Sequence, residues 1–243
     1  MLSSLFDEYS LNARVRPALL TFPPIIIFSY LAFPQLYELA AGAMSILVIG
    51  GFITALSHLS RNRGRVVERK LFTKWGGKPT TIILRHRDTQ IDAVTKRRYH
   101  EFLSSNIKDW VAPTENEEAQ NPSGADQIYE SAVKWLLERT RDKKRYDMLF
   151  KENISYGFRR NCYGIKWYAI LLALVPLAII AIDLCSPQFS LIQSSILTIL
   201  VSGAFSVLLL GWWLFLVNEA WVKDAAMAYA VRLLAACDAD ERT

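Results

Sequence analysis

The sequence predicts an all-α membrane protein with four transmembrane helices, two hairpins bracketing a mainly helical cytoplasmic domain. Three observations predict it: apolar blocks of membrane length, basic residues confined to one side of them, and helical periodicity with caps between them. Hydrophobic residues make up 52% of the 243-residue chain and gather at about Ala18–Phe33, Leu36–Leu59, Ile165–Leu184 and Leu191–Val217. The last three blocks reach the roughly 20 residues that cross a bilayer as a helix. Ala18–Phe33 is short and carries Pro23–Pro24, which leaves it either a kinked or thinned span or a re-entrant segment. The chain start, MLSSLFDEYSLNARVRP, lacks the early basic residues and the cleavage site of a signal peptide.

Charge sets the orientation. Of 28 Lys and Arg, 22 fall in Ser60–Gly164, while the connectors Pro34–Gln35 and Ser186–Ser190 hold none. The positive-inside rule puts both connectors outside and both termini and the middle domain in the cytoplasm. The divisions are 1–59 (N-terminal segment and first hairpin), 60–164 (basic cytoplasmic domain), 165–217 (second hairpin) and 218–243 (cytoplasmic C-terminal helix).

Within the membrane, small residues on the second helix (Ala40, Gly42, Ala43, Ser45, Gly50, Gly51) permit close helix packing. On the fourth helix Ser195, Thr198, Ser202 and Ser206 share one face. Helix packing is the plain reading of that face; a pore lined by several copies, a tetramer for instance, is the sharper one. Glu38 and Asp183, at outer helix ends, would then form carboxylate rings at the pore mouth. From Leu191 to about Ala236 no proline interrupts, so one unbroken helix is expected to run on into the cytoplasm. Ala225, Ala226, Ala228 and Ala230 would pack it against the middle domain or a neighbouring subunit.

In the cytoplasmic domain, Arg61, Arg63, Arg65, Arg69 and Lys70 read as a topology anchor near anionic lipid. Gly76–Gly77 and Pro79 mark a turn, and TIILR is a short strand or a helical turn. Asp92 is expected to cap a helix to about Ile107, burying Val94, Tyr99, Phe102 and Leu103, with Lys96, Arg97 and His100 mostly on the other side. Ala112–Gly124 reads as an acidic loop. Ser123 and Asp126 read as a capping box for a helix to about Thr140, with Tyr129, Val133, Leu136 and Leu137 on its apolar face. RDKKRYD (Arg141–Asp147) is a basic turn. A third helix from about Asp147 leads through GFRRN into the third span.

A catalytic reading finds little support. His86, Asp88 and Asp92 resemble a metal cluster, but Arg85 and Arg87 flank His86 and oppose a cation. A surface histidine is the expectation for His86, and no metal or cofactor is expected. No HExxH, paired CxxC, GxSxG or P-loop occurs. The three cysteines, Cys162, Cys185 and Cys237, have no zinc or disulfide spacing. Anion binding fits better. Ser60–Gly164 holds 22 basic against 14 acidic residues, and six of the acids lie between Asp109 and Glu130. The candidate oligonucleotide surface is therefore Arg85, Arg87, Lys96, Arg97, Arg98, Tyr99, Lys144, Arg145, Arg159 and Arg160, where cations interleave with aromatic rings. The plain alternative is a basic cytoplasmic face of the kind membrane proteins commonly carry.

WGGKPTTIILRHRD (Trp75–Asp88), TKRRYHEFL (Thr95–Leu103), IYESAVKWLLERTRD (Ile128–Asp142) and FKENISYGFRRN (Phe150–Asn161) resemble a set of bacterial membrane proteins encoded beside nucleotidyltransferases, the membrane effectors of Hailong-type anti-phage systems. The resemblance covers nearly the whole chain. It implies an oligomeric inner-membrane channel held shut by single-stranded oligodeoxyadenylate from a partner nucleotidyltransferase. Loss of that ligand to phage nucleases would open the channel and depolarise the membrane. The resemblance assigns no site residues. An effector opened by its ligand, and a scaffold whose basic domain contacts lipid or protein, are the rival readings.

Overall fold

The computed structural model describes residues 7–33, 46–186 and 195–239. They form helices in this order: α1 (Glu8–Leu19), α2 (Pro23–Ala32), α3 (Ile46–Trp75), α4 (Pro79–Leu84), α5 (Ala93–Asn106), α6 (Glu115–Gln120), α7 (Pro122–Arg139), α8 (Asp147–Cys185), α9 (Ile196–Gly211), α10 (Glu219–Leu234) and α11 (Ala236–Ala239). No strand occurs among the described residues. TIILR is therefore helical. Pro79 opens α4 at its first position, where the missing N–H costs nothing, after Gly76 and Gly77 turn the chain at φ 82° and 145°.

Among the described residues two helices are long and apolar enough to cross a membrane: α8, and α9 with its continuation to Leu216. The pair α1 and α2 would make a third if it is one span, bent by 51° at the break between Leu19 and Pro23, where Pro23–Pro24 opens α2. Four spans are thus not all visible, and the first hairpin's connector and Glu38 lie outside the described residues. The exposed faces of α8 and α9 are apolar, with Leu171, Ile182, Leu197, Leu200 and Leu208 all more than half exposed, as on a lipid-facing surface.

The chain divides into two compact units. The first is Met1–Glu68 with Gly157–Val222; the second is Arg69–Tyr156 with Lys223–Thr243. In the first unit, Cys162, Ile165, Ala169 and Ile170 of α8 pack with Trp213 and Val217, and Phe28 and Ala32 of α2 pack with Ile180. In the second, Ile83 and Leu84 of α4, Tyr99, Phe102 and Leu103 of α5, Tyr129, Val133 and Leu136 of α7, and Ala230, Leu233 and Leu234 of α10 share one core. The alanine-rich stretch packs as expected at Ala225, Ala226 and Ala230, while Ala228 is exposed.

Four local expectations are corrected. The C-terminal helix is not continuous: after Gly211 the chain makes a π-helical turn, Trp212–Leu216, and stops at Val217. Asn218 is the physical reason, since its Oδ1 accepts from the Trp221 N–H that begins α10 while its Nδ2 donates back to Phe215 O. Lys166 Nζ donates to the carbonyls of Leu214 (3.1 Å) and Val217 (2.8 Å) freed by the break. The acidic loop contains α6, because Thr114 and Glu117 form a full capping box. Finally, α7 is capped by Asn121, whose Oδ1 accepts from Gly124 N, with Pro122 at the first position; Ser123 and Asp126 are inside the helix. Val94 and Leu137 are exposed rather than buried.

Candidate functional site

The segment Arg85–Asp92, between α4 and α5, is built on buried polar groups. Arg85 is 7% exposed and its guanidinium grips both oxygens of Asp126 on α7, at 2.8 and 2.7 Å, and Gly76 O at 2.8 Å. The hydrogen bond to Asp126 holds its pKa above the ordinary arginine value. Lys96 is 5% exposed, and its ammonium donates to the backbone carbonyls of Arg85 (2.6 Å) and Asp88. Burial lowers its pKa, and Asp88 and Glu118 partly offset that.

Glu118 of α6 is 3% exposed and accepts from the His86 backbone N–H (2.8 Å) and from Tyr129 Oη (2.9 Å). Burial, reinforced by that bond, pushes the Tyr129 hydroxyl far above its ordinary range. His86 is half-buried, not a surface residue, because its Nε2–H donates to Pro113 O at 2.7 Å. His100 is 6% exposed, donates Nε2–H to Leu84 O at 2.9 Å, meets His86 edge-on at 5.0 Å and stacks on Tyr129. Burial pushes its pKa down to about 4, so it is neutral in the folded protein. Both imidazoles thus keep Nδ1 as the acceptor when neutral.

A cleft of about 470 Å³ opens over this network. Its lining includes both histidines, Lys96, Arg97, and the carboxylates of Asp88, Asp92 and Glu115. Asp92 also caps α5, its Oδ1 accepting from Thr95 N at 2.9 Å. Among the described residues no group of three or more His, Cys, Asp or Glu side chains is placed to hold a metal ion. The cleft offers flat rings, donors and acceptors close together. That suits a small polar heterocycle better than a bare anion, since three carboxylates share the lining.

The ten residues proposed for the oligonucleotide surface fall in both units, and not all of them are exposed. Arg85, Lys96 and Tyr99 are inside the second unit: the first two are consumed by the contacts above. Tyr99 is 5% exposed, with its hydroxyl pushed up to about 12 chiefly by burial. The helical pattern misplaced Lys96 because its stem and ammonium fold under the preceding loop. Arg98 is paired with Asp238 near the C-terminus, at 3.0 Å. Arg87 and Arg97 point outward, with Glu118 at 3.8 Å and Glu101 at 4.0 Å as their nearest carboxylates. Lys144 and Arg145 are exposed on the turn that Asp142 organises, and Arg145 lies over the Tyr146 ring. Arg159 and Arg160 belong to the first unit: Arg159 donates to Trp221 O and lies over its ring, and Arg160 pairs with Glu68 at 2.8 Å.

The proposed pore face is also divided. Ser195 is exposed and caps α9 by accepting from Thr198 N; Thr198 is half-buried. Ser202 and Ser206 are 1% and 0% exposed within a single copy of the chain, and Ser202 Oγ donates to Thr198 O. Asp183 is half-buried in the last turn of α8. Sequence reasoning missed Glu118, the pairing of Asp126 with Arg85, the Tyr129 hydroxyl's bond to Glu118 and the burial of His100; only the Thr114–Glu117 capping pattern could have revealed α6, and no local signal marks Glu118 as interior.

Comparison with protein-family models, curated proteins and solved structures gives no match to this chain.

Proposed function

We propose that the chain is a membrane effector whose second unit is a cytoplasmic receptor for a nucleotide-type ligand, with single-stranded oligodeoxyadenylate as the leading class. The observation that carries this reading is the cleft over His86 and His100, with Arg97 in its lining, in a chain that also holds membrane-length helices. A base would sit against the half-buried His86 ring and the hydrogen-bonding walls of the cleft, while Arg97 and the outward Arg87 meet its phosphates. On this reading the four apolar blocks all span a bacterial inner membrane as two hairpins, with both termini and the second unit in the cytoplasm. The chain assembles with copies of itself, a tetramer in the simplest case. A partner nucleotidyltransferase supplies the ligand, and the ligand holds a channel closed. The protein is not an enzyme in this scheme, and the buried network serves to fix the loop that forms the cleft.

A second reading, a membrane scaffold without a pore, is favoured by the burial of Ser202 and Ser206 within one copy. One experiment separates the two. Purified full-length protein is reconstituted in liposomes, and ion flux is recorded with and without short oligodeoxyadenylate, alongside direct binding. Binding that weakens steeply with salt, together with flux suppressed by the ligand, supports the closed-channel effector. Flux raised by ligand supports a channel opened by it. Binding without flux leaves the scaffold, and no binding to wild-type protein removes the receptor reading.

A further inference from the structure

We propose that Arg14, Arg61, Arg65 and Arg160 form a binding site in the first unit for the phosphate of an anionic lipid headgroup. Three segments converge there through close backbone contacts. A Cβ on Gly157 of α8 would come within 2.9 Å of Ala13 Cβ and of Tyr9 Oη, so α1 lies directly on α8. Asn161, fully buried, donates its Nδ2 to Ala13 O and fills the space beside Gly64 of α3. Arg14 follows Ala13, Arg160 precedes Asn161, and Arg61 and Arg65 bracket Gly64 within one helical turn. The same contacts therefore bring the backbone positions of four arginines to one helix crossing.

The cluster is short of negative charge. Glu68 pairs with Arg160 at 2.8 Å. Arg14 donates to Ser10 Oγ at 3.1 Å and lies over the Tyr9 ring. No carboxylate among the described residues pairs within 4.0 Å with Arg14, Arg61 or Arg65. Burial lowers the pKa of Arg61, and Arg14, Arg65 and Arg160 lower it further, with the Tyr9 hydroxyl as the offsetting neighbour. Cations held at one helix crossing repel one another, and a bound anion removes that cost.

Position selects the anion. Arg14 precedes the first apolar block, Arg61 follows the second, and Arg160 precedes the third. Nearby rings are those of an interfacial belt: Arg63 lies over Tyr168 and hydrogen-bonds its hydroxyl, and Trp167 is 74% exposed. At that depth the abundant anion is a lipid phosphate, and the planar arginine fork matches its oxygens. This site needs the first unit to lie in a membrane, and it is independent of the nucleotide receptor in the second unit.

The test uses full-length protein in nanodiscs of phosphatidylcholine alone or with phosphatidylglycerol, read by thermal melting and by native mass spectrometry of retained lipid. Wild type should melt higher with phosphatidylglycerol and carry it through detergent exchange. Arg61→Gln/Arg65→Gln should bind it about tenfold or more weakly, whereas Lys108→Gln/Lys134→Gln, an equal loss of charge in the second unit, should match wild type. If the first variant does not fold, Arg61→Lys/Arg65→Lys keeps the charge and should still weaken retention by removing the fork. A wild-type melt indifferent to phosphatidylglycerol overturns the proposal, as does equal retention by the cluster and control variants. Stabilisation by inorganic phosphate in detergent equal to that by lipid reassigns the site to free phosphate. Displacement of lipid by oligodeoxyadenylate reassigns it to nucleic acid.

Discussion

Gly164 on α8 faces Gly64 on α3 so closely that a Cβ added to Gly164 would lie 2.5 Å from the Gly64 backbone nitrogen. The clash is with backbone, which cannot swing aside. Gly64 in turn sits against the fully buried Asn161 side chain, so both glycines are fixed by the crossing. Gly164→Ala is expected to destabilise the first unit by about 1–3 kcal/mol or more through overpacking. Gly51→Ala, on the same α3 with nothing within 4 Å of its added carbon, should be neutral or slightly stabilising. Thermal melting in detergent checks both, and equal melting of the two variants would refute the close crossing.

His100 makes the second unit acid-sensitive. Its pKa is about 4 in the folded protein against an ordinary 6.5, chiefly because burial disfavours the cation. Between those values the unfolded chain holds more protons, so its stability contribution is complete above pH 6.5 and falls as pH drops towards 4. Below that both states are protonated and no further loss follows. The loss is on the order of 3 kcal/mol. Melting measured across this range should show it, and His100→Gln should flatten the profile. A wild-type profile that is already flat would mean His100 is not held neutral.

How far these features were legible depends on how local their cause is. The cap at Asp92, the turn at Gly76–Gly77 and the continuous run of α8 from Asp147 through the third apolar block rest on residues within one or two turns, and all three are present. The interior position of Lys96 and Arg85 rests on partners distant in sequence: Arg85 needs Asp126, and Lys96 needs the carbonyls of a loop that Arg85 itself fixes. Basic clusters in sequence were read as one surface, yet folding spent two of those cations on the interior. The break at Val217 was local and readable in principle, since Asn218 is a strong cap former three residues before Trp221.

Topology is tested by reporter fusions. Cytoplasmic signal at Thr243 and within Asn116–Ser123, with external signal at Ser186, is expected from the distribution of Lys and Arg. A cytoplasmic Ser186 would exclude the second hairpin.

The hydroxyl face of α9 is tested by cysteine accessibility in a Cys185→Ser background, because Cys185 is exposed. Ser195→Cys should react with water-soluble thiol reagents. Ser202→Cys and Ser206→Cys should be protected, since both positions are buried within one copy. Reaction at Ser202→Cys and Ser206→Cys only after ligand removal would show that the helices part when a channel opens. Protection under every condition would leave the scaffold reading.

Arg85 and Arg97 separate folding from recognition. Both were candidates for phosphate contact, but Arg85 is 7% exposed and bidentate on Asp126, while the Arg97 side chain is 71% exposed with Glu101 at 4.0 Å. Asp126→Ala should destabilise the second unit by about 2–4 kcal/mol, because it leaves an interior guanidinium without its carboxylate. Arg85→Met/Asp126→Leu should recover much of that loss, since neither charge then needs a partner. Arg97→Glu should leave melting within about 0.5 kcal/mol of wild type, as expected for an exposed site. It should nevertheless weaken oligodeoxyadenylate binding and reduce its salt dependence, because a phosphate partner becomes a repelling charge. Loss of binding in Arg97→Glu without loss of stability would assign Arg97 to the ligand. Unchanged binding there, with binding lost in Asp126→Ala only in proportion to unfolding, would mean the cleft is not where the phosphate is held.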